Sequence, residues 1–120
     1  MNINALIEAA KAQDEPVTLR ATDWLASETT ERELQRLYEE FTGAFSEALS
    51  QVSKELGAPL RTFAEDHSWL VSWYPEAFQF AGWPYKDGIL MLAAEQHDRE
   101  TPIILHLGYV PQEEIDARSA

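Results

Sequence analysis

The sequence contains no cysteine among its 120 residues. Disulfide bonds, thiolate metal sites and cysteine nucleophiles are therefore excluded. Histidine and glycine are also scarce, with 3 and 5 residues. The chain has no glycine-rich phosphate loop, no H-E-x-x-H motif, no nucleotide-binding fingerprint and no serine in a nucleophile-elbow context. It therefore has few of the parts that enzymes use, and we expect no cofactor and no resident metal.

Basic residues are few as well. Nine Lys and Arg stand against 21 Asp and Glu, which gives a formal net charge of −12. Such a chain repels phosphate backbones and anionic membranes. We therefore expect neither nucleic acid nor a membrane as partner, whereas a basic protein or a cation would be attracted. The same charge also suits plain solubility or adaptation to a salty cytoplasm, and these interpretations stay open.

Long hydrophobic runs are absent too. No stretch approaches the ~20 apolar residues of a membrane span. Residues Met1–Gln13 lack the basic start and the apolar run of a signal peptide, so we expect a cytoplasmic protein. A length of 120 residues fits one domain, and a hydrophobic fraction of 45% supplies a core. We expect a single domain over residues 1–120, with a polar tail that frays over residues 111–120.

Two amphipathic helices are predicted in the first half of the chain. Apolar residues recur at helical spacing over residues 3–12. Farther on, Thr30 and Glu33 form a capping-box pattern. The apolar face that follows consists of Leu34, Leu37, Tyr38, Phe41, Phe45, Ala48, Val52 and Leu56. Gly57 is typical of a helix end, so the long helix should run from Glu31 to Leu56.

The second half is rich in aromatic and branched aliphatic residues, which favour strands. Strands are predicted over residues 69–73, 77–83, 89–95 and 102–110, and residues 17–19 are either a strand or an extended link. Asp87-Gly88 is a strong turn signal. The sequence therefore predicts an α+β fold, in which a short N-terminal helix and one long amphipathic helix pack on an antiparallel sheet of three to five strands.

The last two predicted strands are apolar on both faces, and such strands are covered on both faces. The helices can cover one face. The other face needs the N-terminal segment, the C-terminal segment or a second subunit. This requirement is the reason to expect a homodimer as one alternative.

Two surface features favour protein binding. Glu33, Glu40 and Glu47 are spaced by seven residues and are predicted to lie opposite the apolar face of the long helix. Gly43 lies in the middle of this outer face, where it would allow another backbone to approach closely. At the predicted turn, Trp83 and Tyr85 flank Pro84. Exposed Trp and Tyr are common anchors of protein interfaces.

These features lead us to expect a small acidic, non-enzymatic domain that binds a basic partner, as immunity proteins and antitoxins do. One alternative is a small metal-dependent or acid–base enzyme built on Asp66, His67, His97 and His106. For His106, strand pairing offers Glu95 as the carboxylate partner that acid–base chemistry requires. The second alternative is the structural homodimer.

Overall fold

The structure is a computed structural model that describes residues 2–13, 15–59 and 77–119. The elements in chain order are α1 (Ile3–Ala12), β1 (Val17–Ala21), α2 (Glu31–Leu56), β2 (Ala77–Tyr85), β3 (Gly88–Glu95), β4 (Ile104–Pro111) and α3 (Gln112–Ser119). The expected α+β fold, with a short and a long helix on an antiparallel sheet, is confirmed. The strand predicted over residues 69–73 lies outside the described residues.

The four described strands form one antiparallel sheet in the order β1-β4-β3-β2. Strands β2 and β3 are a hairpin in which Tyr85 pairs with Gly88 across the two residues Lys86 and Asp87. Strand β4 pairs with β3 along its whole length, from Gly88↔Pro111 to Glu95↔Ile104. Strand β1 extends the sheet beside β4 and has an irregular register between Thr18 and Arg20.

Helix α2 has the boundaries that its caps predict. The Thr30 hydroxyl accepts a hydrogen bond from the Glu33 amide at 3.1 Å, which satisfies one of the free N–H groups of the first turn. At the other end, Gly57 has a φ of +89°, a conformation that favours glycine, and its amide donates to the Ser53 carbonyl. The local sequence therefore determines both ends of the longest element.

Helices α1 and α2 pack on one face of the sheet, and the main core lies between them. Along β3, the side chains of Leu90, Leu92 and Ala94 belong to this core. The alternate residues point to the opposite face because successive side chains of a strand alternate. There they form a second cluster, which consists of Phe80, Ile89, Met91, Ala93 and Val110.

The second sheet face is already shielded from solvent in one copy of the chain. Phe80 is 1% exposed, and Met91 and Ala93 are 0% exposed. A second subunit is therefore not needed to cover these side chains. This finding removes the reason for expecting a homodimer, and the homodimer itself stays a prediction.

The end of the chain, which the sequence predicts to fray from residue 111, has regular structure. Pro111 is the last residue of β4, and α3 follows it directly. The Gln112 amide donates to the Asp87 carbonyl at 2.7 Å, which joins the start of α3 to the β2–β3 hairpin. Whether the helix frays in solution stays a prediction.

Candidate protein-binding surfaces

Trp83 is a core residue, so the expectation that it is an exposed anchor is wrong. Its side chain is 0% exposed, and its indole N–H donates to the Gly57 carbonyl at 3.1 Å. The cause is strand register. Trp83 pairs with Leu90, and both side chains point to the face that the helices cover. The ring therefore joins β2 to the C-terminal cap of α2.

Tyr85 lies two residues farther on and is half-buried. Its ring packs edge-on against the ring of Tyr109, with 6.2 Å between the ring centroids. The hairpin residue Lys86 places its ammonium 5.6 Å from the centroid of the Tyr85 ring. Of the two aromatic anchors that the sequence suggested, only Tyr85 keeps part of its side chain exposed, where a partner could contact it.

The three glutamates spaced by seven are exposed, but Glu40 and Glu47 lie beside β1 rather than opposite the sheet. Glu40 accepts a hydrogen bond from the guanidinium of Arg20, which projects from β1. Glu47 lines a hollow of about 290 Å³ between α2 and β1, together with Leu19 and Arg20. Because neighbouring residues of a helix are ~100° apart, Glu40 lies on the flank next to the buried Phe41. Arg20 therefore offsets part of the negative charge of these glutamates.

Gly43 lies on the solvent-facing side of α2, as expected. Apart from the helix backbone around it, a Cβ atom built at this position meets no atom within 4 Å. No neighbouring group therefore requires a glycine here. Its use as a contact point for a partner stays a prediction.

The most exposed large hydrophobic side chain of the described residues is Trp24, at 74% exposure. It lies in the segment between β1 and α2, residues 22–30, which we call the Trp24 loop. The segment has no apolar periodicity, and sequence reasoning therefore overlooked it as a surface. The one available signal was a lone tryptophan in an otherwise polar stretch.

The Trp24 loop is held in place at both ends. The Thr22 amide donates to the Ile103 carbonyl at 3.0 Å, and the Leu25 amide donates to the Glu100 carbonyl at 2.8 Å. At the far end, the Arg99 guanidinium donates to the carbonyl oxygens of Ser27 and Thr29. Leu25 is half-buried, whereas its neighbour Trp24 points into solvent. A fixed backbone therefore presents an exposed indole.

The surroundings of Trp24 are acidic. The Trp24 loop, the first residue of α2 and the β3–β4 connection over residues 97–101 carry five exposed carboxylates, on Asp23, Glu28, Glu31, Asp98 and Glu100. Arg99 is the one Lys or Arg in these segments, and its guanidinium binds loop carbonyls and the Glu31 carboxylate. Within these segments, the five carboxylates are therefore only partly neutralised by basic residues.

The structure does not show that the four residues of the enzyme alternative form one site. Asp66 and His67 lie outside the described residues. His97 is exposed in the β3–β4 connection, whereas His106 is 5% exposed in the middle of β4. His106 pairs with Ala93, four residues before His97, which corresponds to about 13 Å along a strand. The two histidines therefore occupy separate environments.

The expected contact between His106 and Glu95 is present. The imidazole Nε2 lies 3.1 Å from Glu95 Oε1, on the sheet face that carries the second cluster. Both residues line a hollow of about 380 Å³, to which Thr18 on β1 also contributes. Little of the buried imidazole reaches this hollow, and the carboxylate is 26% exposed. The imidazole and the carboxylate lie within hydrogen-bond distance, but the arrangement leaves a substrate little access to the imidazole.

Within residues 2–13, 15–59 and 77–119, no three His, Asp or Glu side chains converge as a metal site would require. In the same part of the chain, no helix is both long enough and apolar enough to cross a membrane.

Comparison of the chain with protein-family models, with curated protein sequences and with solved structures finds no match. The proposed function therefore rests on the sequence and the structure of the chain itself.

Proposed function

We propose that the chain is a non-enzymatic protein-binding domain that docks a partner on Trp24. The observation that carries this proposal is the 74% exposure of an indole on a loop held by backbone hydrogen bonds. Burying the rest of such a ring removes enough apolar surface to contribute roughly 3–4 kcal/mol. A loop that is already ordered loses little further entropy on binding, so more of this energy remains for affinity.

The chemistry of the partner follows from charge complementarity. The exposed carboxylates of Asp23, Glu28 and Glu100 lie in the Trp24 loop and in the β3–β4 connection that is bonded to it. A partner with Lys or Arg around an apolar pocket would place its charges against them and receive Trp24 in the pocket. Such complementarity mainly accelerates encounter and selects the partner, whereas the buried aromatic ring slows dissociation.

The finer form of the proposal is that binding neutralises or escorts a basic protein in the cytoplasm, as immunity proteins and antitoxins do. It is supported by the small size, the net charge of −12 and the scarcity of catalytic residue types.

The first test measures whether Trp24 selects a basic partner. Immobilised wild-type chain and the variants Trp24→Ala and Ser46→Ala are incubated with native lysate, and captured proteins are quantified. We expect at least one basic protein that the wild type and the Ser46→Ala control retain and that Trp24→Ala loses. With that protein purified, the loss should be about 30-fold in Kd, which corresponds to ~2 kcal/mol. If no captured protein distinguishes Trp24→Ala from the control, the proposal fails.

A second arm separates local charge from total charge. The double variant Asp23→Lys/Glu100→Lys and the double variant Glu39→Lys/Glu55→Lys change the net charge equally, and all four positions are exposed. We expect the first double variant to slow association with the purified partner far more than the second. Equal effects would mean that the charge acts through the whole molecule and that no acidic docking surface exists at Trp24.

A further inference from the structure

Two tyrosines and two lysines form a cluster at the other end of the sheet. The rings of Tyr85 and Tyr109 are perpendicular, at 90°, with their centroids 6.2 Å apart. The Lys86 ammonium lies 5.6 Å from the Tyr85 centroid, and the Lys11 ammonium lies 5.5 Å from the Tyr109 centroid. In the free chain, each ring therefore already holds a cation from the chain itself, at a distance typical of cation–π contacts.

The Tyr109 ring is fixed in position. Its hydroxyl donates to Asp87 Oδ1 at 2.8 Å, and this hydrogen bond is the main cause of the lowered pKa of Asp87. The ring also packs over Gly88, where a Cβ atom would lie 2.6 Å from the Tyr109 hydroxyl oxygen. A negative charge and an aromatic face are thus held side by side.

Two hollows meet at this cluster. One has a volume of about 490 Å³ and includes Tyr85, and the other has a volume of about 460 Å³ and includes Tyr109. They share Lys11 and Asp87 as lining residues, and each is large enough for a small ligand. The carboxylates that line them belong to Glu8, Asp87, Glu113 and Glu114. These four outnumber the two lysines, so the site favours a cation over an anion.

We propose that these hollows bind an organic cation, a guanidinium or alkylammonium group, on the Tyr109 ring beside Asp87. The Lys11 ammonium occupies this place in the free chain and is displaced when the ligand binds. Glu113 and Glu114, in the first turn of α3, supply further negative charge at the rim. The cation can come from an arginine or lysine side chain of a protein, or from a free polyamine, because both present the same chemistry.

This site is separate from the Trp24 loop. Strand β3 has eight residues, from Gly88 at the hairpin to Glu95 at the opposite end, and its ends are about 23 Å apart. The Trp24 loop is bonded to residues 100 and 103, beyond that opposite end. The two surfaces can therefore be tested independently.

The test titrates the chain with acetyl-arginine-amide and with spermidine and follows the amide NMR signals of Asp87 and Gly88. Acetyl-citrulline-amide, which has nearly the same shape without the charge, is the ligand control. We expect saturable shifts with at least one cation and none with citrulline. Asp87→Asn should weaken binding by tenfold or more, because it removes the charge that faces the ligand. A larger affinity for acetyl-arginine-amide indicates a protein side chain as the source, and a larger affinity for spermidine indicates a free polyamine.

The displacement of Lys11 gives a second readout with a matched control. Lys11→Met keeps the apolar stem and removes the competing ammonium, so the cation should bind about two- to fivefold more tightly. Lys54→Met changes the net charge equally at an exposed position of α2 and should alter the affinity less. The proposal would be overturned if Lys11→Met and Lys54→Met bound the cation with equal affinity. It would also be overturned if acetyl-citrulline-amide bound as tightly as acetyl-arginine-amide. Trp24→Ala should leave all these values unchanged, which keeps the result distinct from that of the protein-binding test.

Discussion

Trp83 in strand β2 and Trp24 in the loop before α2 show how differently one residue type is used in two regions of the chain. Trp83 is 0% exposed, lies among the core residues and bonds the Gly57 carbonyl. Trp24 is 74% exposed on a loop that is held by backbone hydrogen bonds, by the Thr22 hydroxyl and by Arg99. The first is explained by folding, because its removal would leave a cavity and an unbonded carbonyl. Folding does not explain the second, so its explanation is sought in binding.

The largest effect is expected from truncating the buried member of this pair. Trp83→Ala should destabilise the fold by about 3–5 kcal/mol, measured as the free energy of unfolding in urea. Trp83→Phe keeps most of the ring but leaves the Gly57 carbonyl without the indole N–H, and should cost about 1–3 kcal/mol. A loss below 1 kcal/mol for Trp83→Ala would mean that the ring is not part of the core.

A smaller effect is expected at the hairpin that carries the tyrosine cluster. A Cβ atom at Gly88 would lie 2.3 Å from the Val110 carbonyl oxygen, so Gly88→Ala should destabilise the fold by about 1–3 kcal/mol. Gly43→Ala is the matched control. It should stabilise the fold by about 0.5–1 kcal/mol, because alanine favours a helix more than glycine does and the added Cβ would point into open space. If both changes had the same sign, the close approach at Gly88 would be refuted.

The variant Gly88→Ala also has a spectroscopic readout, at Tyr109. Burial, and then the hydrogen bond to Asp87, raise the pKa of Tyr109 to about 12 from an ordinary value of 10.0. This raised pKa stabilises the folded state, because the folded state holds the Tyr109 proton more tightly than the unfolded chain does. The contribution to stability is complete below pH 10 and is lost as the pH rises through 12. Displacing the ring in Gly88→Ala should lower this pKa towards 10.0, which an absorbance titration of tyrosinate detects. An unchanged titration would show that the ring had not moved.

The helices and the main strands were predictable because their signals are local. The apolar spacing of α2 and its caps at Thr30 and Gly57 lie within the element itself. The contact between His106 and Glu95 needed only the pairing of two consecutive strands, and it was predicted correctly. Helix α3 was not predicted because its start is dominated by polar residues without an apolar face.

The surfaces were less predictable because they depend on contacts between distant segments. The position of Trp83 beside a turn suggested exposure, but its pairing with Leu90 decides its face. The cluster of Lys11 and Tyr109 joins residues from α1 and β4, and no sequence pattern connects them. Trp24 is exposed because Leu25, and not Trp24, turns inward where the loop is bonded to Glu100.

The smallest effect on stability is expected for Trp24→Ala, and it makes the comparison with Trp83 sharpest. The side chain covers little of the fold, so the free energy of unfolding should change by less than about 0.5 kcal/mol. When Trp24→Ala and Trp83→Ala are measured under the same conditions, their losses of unfolding free energy should differ several-fold, although each variant removes a tryptophan side chain. A loss above 1 kcal/mol for Trp24→Ala would show that the indole supports the loop. The exposed ring would then have a structural explanation, and a loss of partner binding in this variant would no longer identify Trp24 as the anchor.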